Sequence, residues 1–416
     1  MHDLPVGQSV LEIQSGMVMI ARIDKKGGSP RPSSCPRTVM EDGMKLLALV
    51  ESTDHVCGRY RIRAFESALD DAGWSLTCEG LDRGSLLRPF QFRRATQFDS
   101  VVLQRKLLPG WHLRALRKFS RHLVYDFDDA VLFRDSYDRR GLKSRWRSKR
   151  FSRTVCAVDT VVAGNDFLAD CALRAGAKVD RVHVIPTCVD PRVYPVAQQE
   201  SGASRLDLVW IGSASTLKGL EQSRSIWERL GKALPYLRLR VICDRFPERF
   251  PLPVVPVAWN EESEAREIAA GHIGVSWLPD DLWSRGKCGL KVLQYQAAGL
   301  PVIANPVGSH CEMIKAGETG FLATSADEWV AAAKESAESP RMRQKMGHLA
   351  RERVESEYSI SAWAETFVTS MTGTCKRAVR TSWKVDRSRP TSVSSGFEPH
   401  GAKLKTRRTL NQIGDR

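Results

Sequence analysis

From Lys45 onward the chain alternates short, continuous apolar runs with longer amphipathic stretches. The run Leu46-Leu47-Ala48-Leu49-Val50 opens the series, and a run apolar on both faces belongs to a strand buried inside a parallel sheet. Further strands are predicted near Leu76 and at 100–103, 123–125, 160–163 and 182–185, with helices over about 59–72, 111–119, 144–157 and 166–175 between them. Such alternation builds right-handed βαβ units and a doubly wound sheet. Pro186, Pro191, Pro195 and the polar run 198–202 then break the pattern as a linker would. A second series follows, with strands at 206–211, 237–242, 254–255, 273–277 and 301–304. Its helices fall near 217–233, 261–270 and 288–298, before a helix-rich end at 325–371.

The fold class read from this is α/β, two Rossmann-like doubly wound parallel-sheet domains facing across a cleft. Its expected division is an extension or misassigned start at 1–43, a first domain at 44–195, a linker at 196–204, a second domain at 205–358, a final helix at 359–372 and a basic tail at 373–416. Ligands of open α/β sheets bind outside the carboxyl ends of the strands, so the candidate site lies where those two edges meet.

Apolar residues at 42% and charged residues at 27% exclude collagen-like, coiled-coil and wholly disordered chains. No apolar run approaches the roughly 20 residues of a spanning helix. The first twenty residues carry Asp3 and Glu12 and lack the basic start of a secretory signal, which gives a cytoplasmic expectation. The ten cysteines lie singly, without CxxC pairs or zinc spacing, and are read as reduced. They offer no zinc site.

The net charge is +15, and 373–416 alone hold eleven Lys/Arg against three Asp/Glu. The excess left in 44–372 suits anionic ligands or an anionic surface. It concentrates at 134–153, where nine Lys/Arg surround Trp146 against Asp135 and Asp138. A basic run with an aromatic suits docking at the inner face of an anionic membrane or holding a lipid-linked acceptor, and equally a solvated helix face. Nucleic acid is not expected as a partner, because no recognised motif or stacking surface accompanies the charge.

The dinucleotide loop, the Walker A loop and HExxH are all absent, which removes hydride transfer and P-loop chemistry. Gly212-Ser213-Ala214-Ser215-Thr216-Leu217-Lys218-Gly219 stands between a strand and a helix. Small residues there let backbone amides reach an anion that Lys218 can also meet, or else Ser215 or Thr216 merely caps the helix. In 285–301, Lys287 and Lys291 lie four apart at a helix start that Gly299 later ends, a pattern suited to a diphosphate or to surface lysines. Gly58-Arg59-Tyr60-Arg61 follows the first strand, where glycine permits close approach and Arg59 or Arg61 could fork onto a phosphate. Asp126, Asp128 and Asp129 end another strand and invite either a metal or a capping role. His112, His183, His272 and His310 are dispersed and read as structural.

Several of these segments together resemble the family 4 glycosyltransferases of the GT-B fold. They are Trp210-Ile211-Gly212-Ser213, Lys218, the Gly289 to Pro301 block, Asn305-Pro306-Val307-Gly308, Glu312 and Gly317-Glu318-Thr319-Gly320-Phe321-Leu322. Upstream, Val124 to Ala130, Gly164 to Leu168 and Val184 to Asp190 extend the likeness to about 45–371. The resemblance implies an N-terminal acceptor domain, a C-terminal donor domain and a last helix that crosses back. It implies retaining transfer, with no metal and no cofactor, from a nucleotide-diphosphate sugar to a hydroxyl of a glycan or glycolipid, in cell-surface polysaccharide or glycoconjugate synthesis. Donor contacts would fall on Gly58, Arg59, Gly212, Ser213, Lys218, Lys287, Lys291, Gln294, Gly308 and Glu312, with Asp128, Lys218 and Lys291 catalytic. Two departures stand out: Ser213 replaces the family's arginine, and its paired glutamates fall at Gly286 and Gln294. They keep open a non-catalytic sugar-nucleotide or glycan-binding protein, and a GT-B nucleotide-sugar epimerase, as alternatives.

Overall fold

β1 (Met44–Val50) buries all five residues from Leu46 to Val50, and their alternation sends them into two different cores. Leu47 and Leu49 join Val101, Leu103, Leu123 and Tyr125 on one face of a sheet, while Leu46, Ala48 and Val50 join Val102, Val124 and Val162 on the other. A strand with no polar face requires this covering on both sides. In the computed structural model, which describes residues 43–53, 56–81, 88–199 and 205–373, the remaining strands of that sheet are β2 (Trp74–Gly80), β3 (Ser100–Gln104), β4 (His122–Phe127), β5 (Thr160–Ala163) and β6 (Val182–Val184). All pair in parallel, in the order β2-β1-β3-β4-β5-β6.

The second half repeats the plan with β7 (Leu206–Ile211), β8 (Leu237–Cys243), β9 (Val254–Ala258), β10 (Ile273–Ser276), β11 (Val302–Ala304) and β12 (Gly320–Leu322). Its order is β12-β11-β10-β7-β8-β9, again all parallel. Leu206, Leu208 and Trp210 face one core with Trp227 and Trp329, whereas Val209 and Ile211 face another with Val292 and Tyr295.

The chain crosses back at its end. Val189 and Ser359 form a β-bridge, and the helix Ile360–Thr372 returns to the first sheet, where Phe367 stacks on Phe65 with ring centroids 4.0 Å apart. Ser100 Oγ donates to the Met371 carbonyl at 2.5 Å. Phe367 and Met371 thus complete the core around Leu46 and Ala48.

Several expected elements differ in detail. The helix expected over 59–72 is two helices, Val56–Arg61 and Glu66–Asp71, separated at Ile62 (φ −123°, ψ −64°), with Arg61 and Phe65 buried on either side of the break. The helix expected over 217–233 breaks at Ser223, whose hydroxyl donates to the Gly219 carbonyl at 2.8 Å and accepts from Trp227 Nε1 at 2.9 Å. The three-residue β12 and the helices Arg88–Arg93 and His310–Met313 are too short for a periodic signal. Expectations for 1–42, 200–204 and 374–416 fall outside the described residues.

Candidate functional site

The turn after β7 is shaped by a lysine beneath it. A Cβ at Gly212 would lie 2.6 Å from Thr216 Oγ1, 2.7 Å from the Trp210 ring and 2.8 Å from Lys291 Nζ, so any side chain there would have to displace these groups. Lys291 belongs to the helix Leu290–Ala297, whose N-cap Gly289 is left-handed (φ 61°) and provides no side-chain cap. Its ammonium sits 4.0 Å from the centre of the Trp210 ring and has no ion pair among the described residues. Burial, and then the charge of Lys287, lower its pKa to about 7. A half-buried cation facing an aromatic and a glycine turn, with no counter-ion among the described residues, can receive an anion.

The rest of that turn is partly occupied. Asp244 accepts from the Ala214 amide at 2.9 Å, and the Ser213 and Ser215 hydroxyls pair at 2.9 Å. Lys218 is exposed, 5.6 Å from the Tyr137 ring of the first half. The helix it begins, Lys218–Gln222, has five residues, so the dipole expected behind this turn is small and its backbone amides carry the anion-binding potential.

Asp128 and Asp129 directly follow β4. Arg105, a non-glycine residue at φ 57°, points between them, its Nε 3.5 Å from Asp128 Oδ1 while its Nη2 pairs with Asp129. Lys287 crosses from the second half to donate to Asp129 at 2.8 Å. Burial alone would push the Asp128 carboxyl up, but Arg105, then Arg61, the Cys57 thiol and Lys287 hold it below the usual carboxylate range. Such a carboxylate is a weak base, better suited to orient a hydroxyl than to deprotonate it. The metal reading of the three aspartates meets cations instead, since Asp126 is bound by buried Arg61.

Other expected contacts are engaged between the halves. Arg59 pairs with Glu264 at 2.8 Å and Glu261 at 3.1 Å. Gln294 donates to the Tyr60 hydroxyl at 3.1 Å, which donates in turn to Glu264 at 2.8 Å. Arg61, the alternative phosphate ligand, is closed off by Asp126 and the Ile185 carbonyl. At Gly58 a Cβ would meet its neighbours no closer than 3.8 Å, so packing alone does not require glycine there.

Gly286 marks where the two halves touch. A Cβ there would lie 2.6 Å from Ala130 Cβ and 2.9 Å from the Ala130 amide nitrogen, leaving no space for the family's glutamate. Gly286→Ala is expected to lower the thermal midpoint, since overpacking costs about 1–3 kcal/mol; an unchanged midpoint would show that this contact yields freely. Beside it, a cavity of about 270 Å³ is lined by Asn165 and Phe167 of the first half and Asp280, Arg285, Gly308 and Glu312 of the second. Gly308 (φ 56°) keeps its backbone close to Arg285, while burial and then Asp166 push the Glu312 carboxyl up. His310, behind this wall, lies between Ser276 Oγ (3.0 Å) and the Asn305 carbonyl (2.8 Å), and burial lowers its pKa to about 4, so it is neutral.

Sequence reasoning missed Arg105, Tyr60, Glu264, Tyr137 and the role of Trp210. Only Trp210 carried a signal, as a large aromatic ending an apolar strand beside the glycine turn.

Residues 222–369 match a family model described as glycosyl transferase-like. No curated protein matches the chain. Among solved structures, sucrose-phosphate synthase from Thermosynechococcus elongatus aligns at TM-score 0.60 and 18% identity, over 78% of this chain and 97% of its own. A glycosyltransferase from Rickettsia africae aligns at TM-score 0.61 and 14% identity, over 81% and 100%. HepE from Anabaena, in complex with UDP and glucose, aligns at 0.56 and 16%, over 80% and 99%. These likenesses establish the two-domain GT-B fold.

Proposed function

We propose that this chain is a retaining glycosyltransferase of the family 4 type, moving a sugar from a nucleoside diphosphate to a hydroxyl of a glycan or glycolipid. Lys291 carries the reading: a half-buried ammonium under the Gly212 turn, without an ion pair among the described residues, is compensated when a diphosphate arrives. In transfer, the bond from the anomeric carbon to the diphosphate breaks, one to the acceptor oxygen forms, and the hydroxyl proton leaves with the departing phosphate. Lys291, Lys218 and the turn amides at Ser213 stabilise the charge that builds on that phosphate. Arg59 and Lys287 join them only by exchanging Glu264 and Asp129 for the ligand. Asp128 orients the acceptor hydroxyl, and the cavity between Asn165 and Glu312 receives the donor sugar, away from water. HepE, which binds UDP and glucose, supports uridine nucleotides as the first donors to try.

The test is a thermal-shift series with UDP, ADP and GDP, followed by assay of nucleoside diphosphate release from the matching sugar nucleotides with glycan and glycolipid acceptors. A shift with one base, and release that requires acceptor, is expected. The close packing of Gly286 on Ala130 favours a second reading, a sugar-nucleotide-binding protein without turnover, which a shift without release would establish. No shift from folded protein would sink both.

A further inference from the structure

Three large aromatic side chains stand exposed on three helices of the N-terminal half. Phe90 is 68% exposed on Arg88–Arg93, Trp111 46% on Gly110–Phe119 and Trp146 58% on Arg145–Ala157. The middle helix packs against both others. Together the three contain ten Lys/Arg and not one Asp or Glu.

The exposed cations follow the aromatics. Trp111, Arg114 and Lys118 recur at helical spacing on one exposed stripe, and Trp146, Lys149 and Arg153 form another. The two stripes adjoin, because Arg153 Nη1 lies 3.4 Å from where a Cβ on Gly110 would stand. Arg150 stacks 3.7 Å over the Trp146 ring and donates to the Leu107 carbonyl at 3.0 Å, which holds that indole in place. Ion pairs nearby are made by Arg117 with Asp159, and by Arg134 and Arg140 with Asp138. Arg114, Lys118, Lys149 and Arg153 make none among the described residues. Burial, then Arg153 and Arg88, pull Arg150 below its ordinary value, a sign of crowded like charge.

We infer that this face docks on an anionic lipid bilayer, with Phe90, Trp111 and Trp146 entering the headgroup zone and the unpaired cations meeting acidic phospholipids. Indoles suit that zone because one end is apolar and the other hydrogen-bonds, and Phe90, the most exposed, has no polar atom to keep it in water. The surface shares Trp146, Lys149 and Arg153 with the basic run 134–153 but is not that run: Arg134 is consumed by Asp138 and the carbonyls of Arg140 and Gly141, whereas Phe90 and Trp111 lie outside it. The inference is independent of the proposed transfer chemistry, since none of these residues lines the candidate site.

The test is flotation of the full chain with phosphatidylcholine vesicles, with and without phosphatidylglycerol, at low and high salt. The triple variant Phe90→Ser, Trp111→Ser, Trp146→Ser keeps every charge, so it separates this face from the basic segment 373–416. Because its three positions are exposed, its thermal midpoint should match the wild type. Wild type is expected to float only with anionic vesicles, and the triple variant to bind them at least about tenfold more weakly. Lys149→Glu with Arg153→Glu should also reduce binding and its salt dependence. Equal binding by wild type and triple variant overturns the inference, as does binding to a single-stranded RNA with no binding to vesicles.

Discussion

Lys291→Met is expected to weaken binding of a nucleoside diphosphate by about 1.5–3 kcal/mol, roughly ten- to a hundredfold, the usual loss for charge-assisted hydrogen bonds. Its pH dependence is the sharper signature. With a pKa near 7 in the free protein, Lys291 is largely neutral in mildly alkaline solution. A bound diphosphate restores its charge, so binding takes up a proton. Affinity should therefore fall as the pH rises above about 7, approaching tenfold per pH unit. The free protein shows the opposite trend. A lysine whose folded pKa is depressed costs stability in full below that value, and the cost fades as pH rises toward its ordinary 10.5. Titration calorimetry in buffers of differing ionisation enthalpy measures the proton directly, and Lys291→Met should abolish it. The same proton uptake in wild type and variant would remove Lys291 from the anion site.

Arg61→Met should cause the largest loss of stability, about 3–5 kcal/mol, because it leaves a buried carboxylate without its cation. Arg61 and Asp126 are both almost wholly buried, bonded at 2.5 Å, and Arg61 also donates to the Ile185 carbonyl at 2.6 Å. Burial already pushes the Asp126 carboxyl up, with Arg61 opposing it. Without the guanidinium that carboxyl rises further. A carboxyl whose folded pKa exceeds its unfolded one destabilises above the folded value, and the cost is relieved as pH falls toward the ordinary carboxylate range. The variant's denaturation midpoint should therefore recover on mild acidification. A second substitution, Asp126→Asn, should restore part of the lost stability in the Arg61→Met background. A variant as stable as wild type at neutral pH would contradict this structural role.

Reading Arg61 as a possible phosphate ligand was reasonable from its place after the first strand, yet nothing local to it reveals Asp126. The partner sits 65 positions away, on β4, and only the sheet order β1-β3-β4 brings them together. Arg59, Lys287 and Gln294 teach the same lesson. Each was legible as polar and well placed, and each is held by a partner from the other half: Glu264, Asp129 and Tyr60. Gly286 is plainer still, since its missing carboxylate reads as a loss until Ala130 is found where a side chain would go.

What the sequence by itself determined was the architecture and the chemistry on offer. Apolar runs such as 46–50 and 208–211 can be satisfied only by burial on both faces, which dictates parallel sheets and places Gly212 and Asp128 at their carboxyl edges. Local periodicity encodes that directly. Tertiary structure alone decided which charges are spent and which remain, because a pair 65 positions apart depends on the order of strands in the first sheet, and pairs 158 or 205 positions apart on how the two halves meet. By that measure Lys291, half-buried against Trp210 and without an ion pair among the described residues, is a cation left for a ligand at the Gly212 turn.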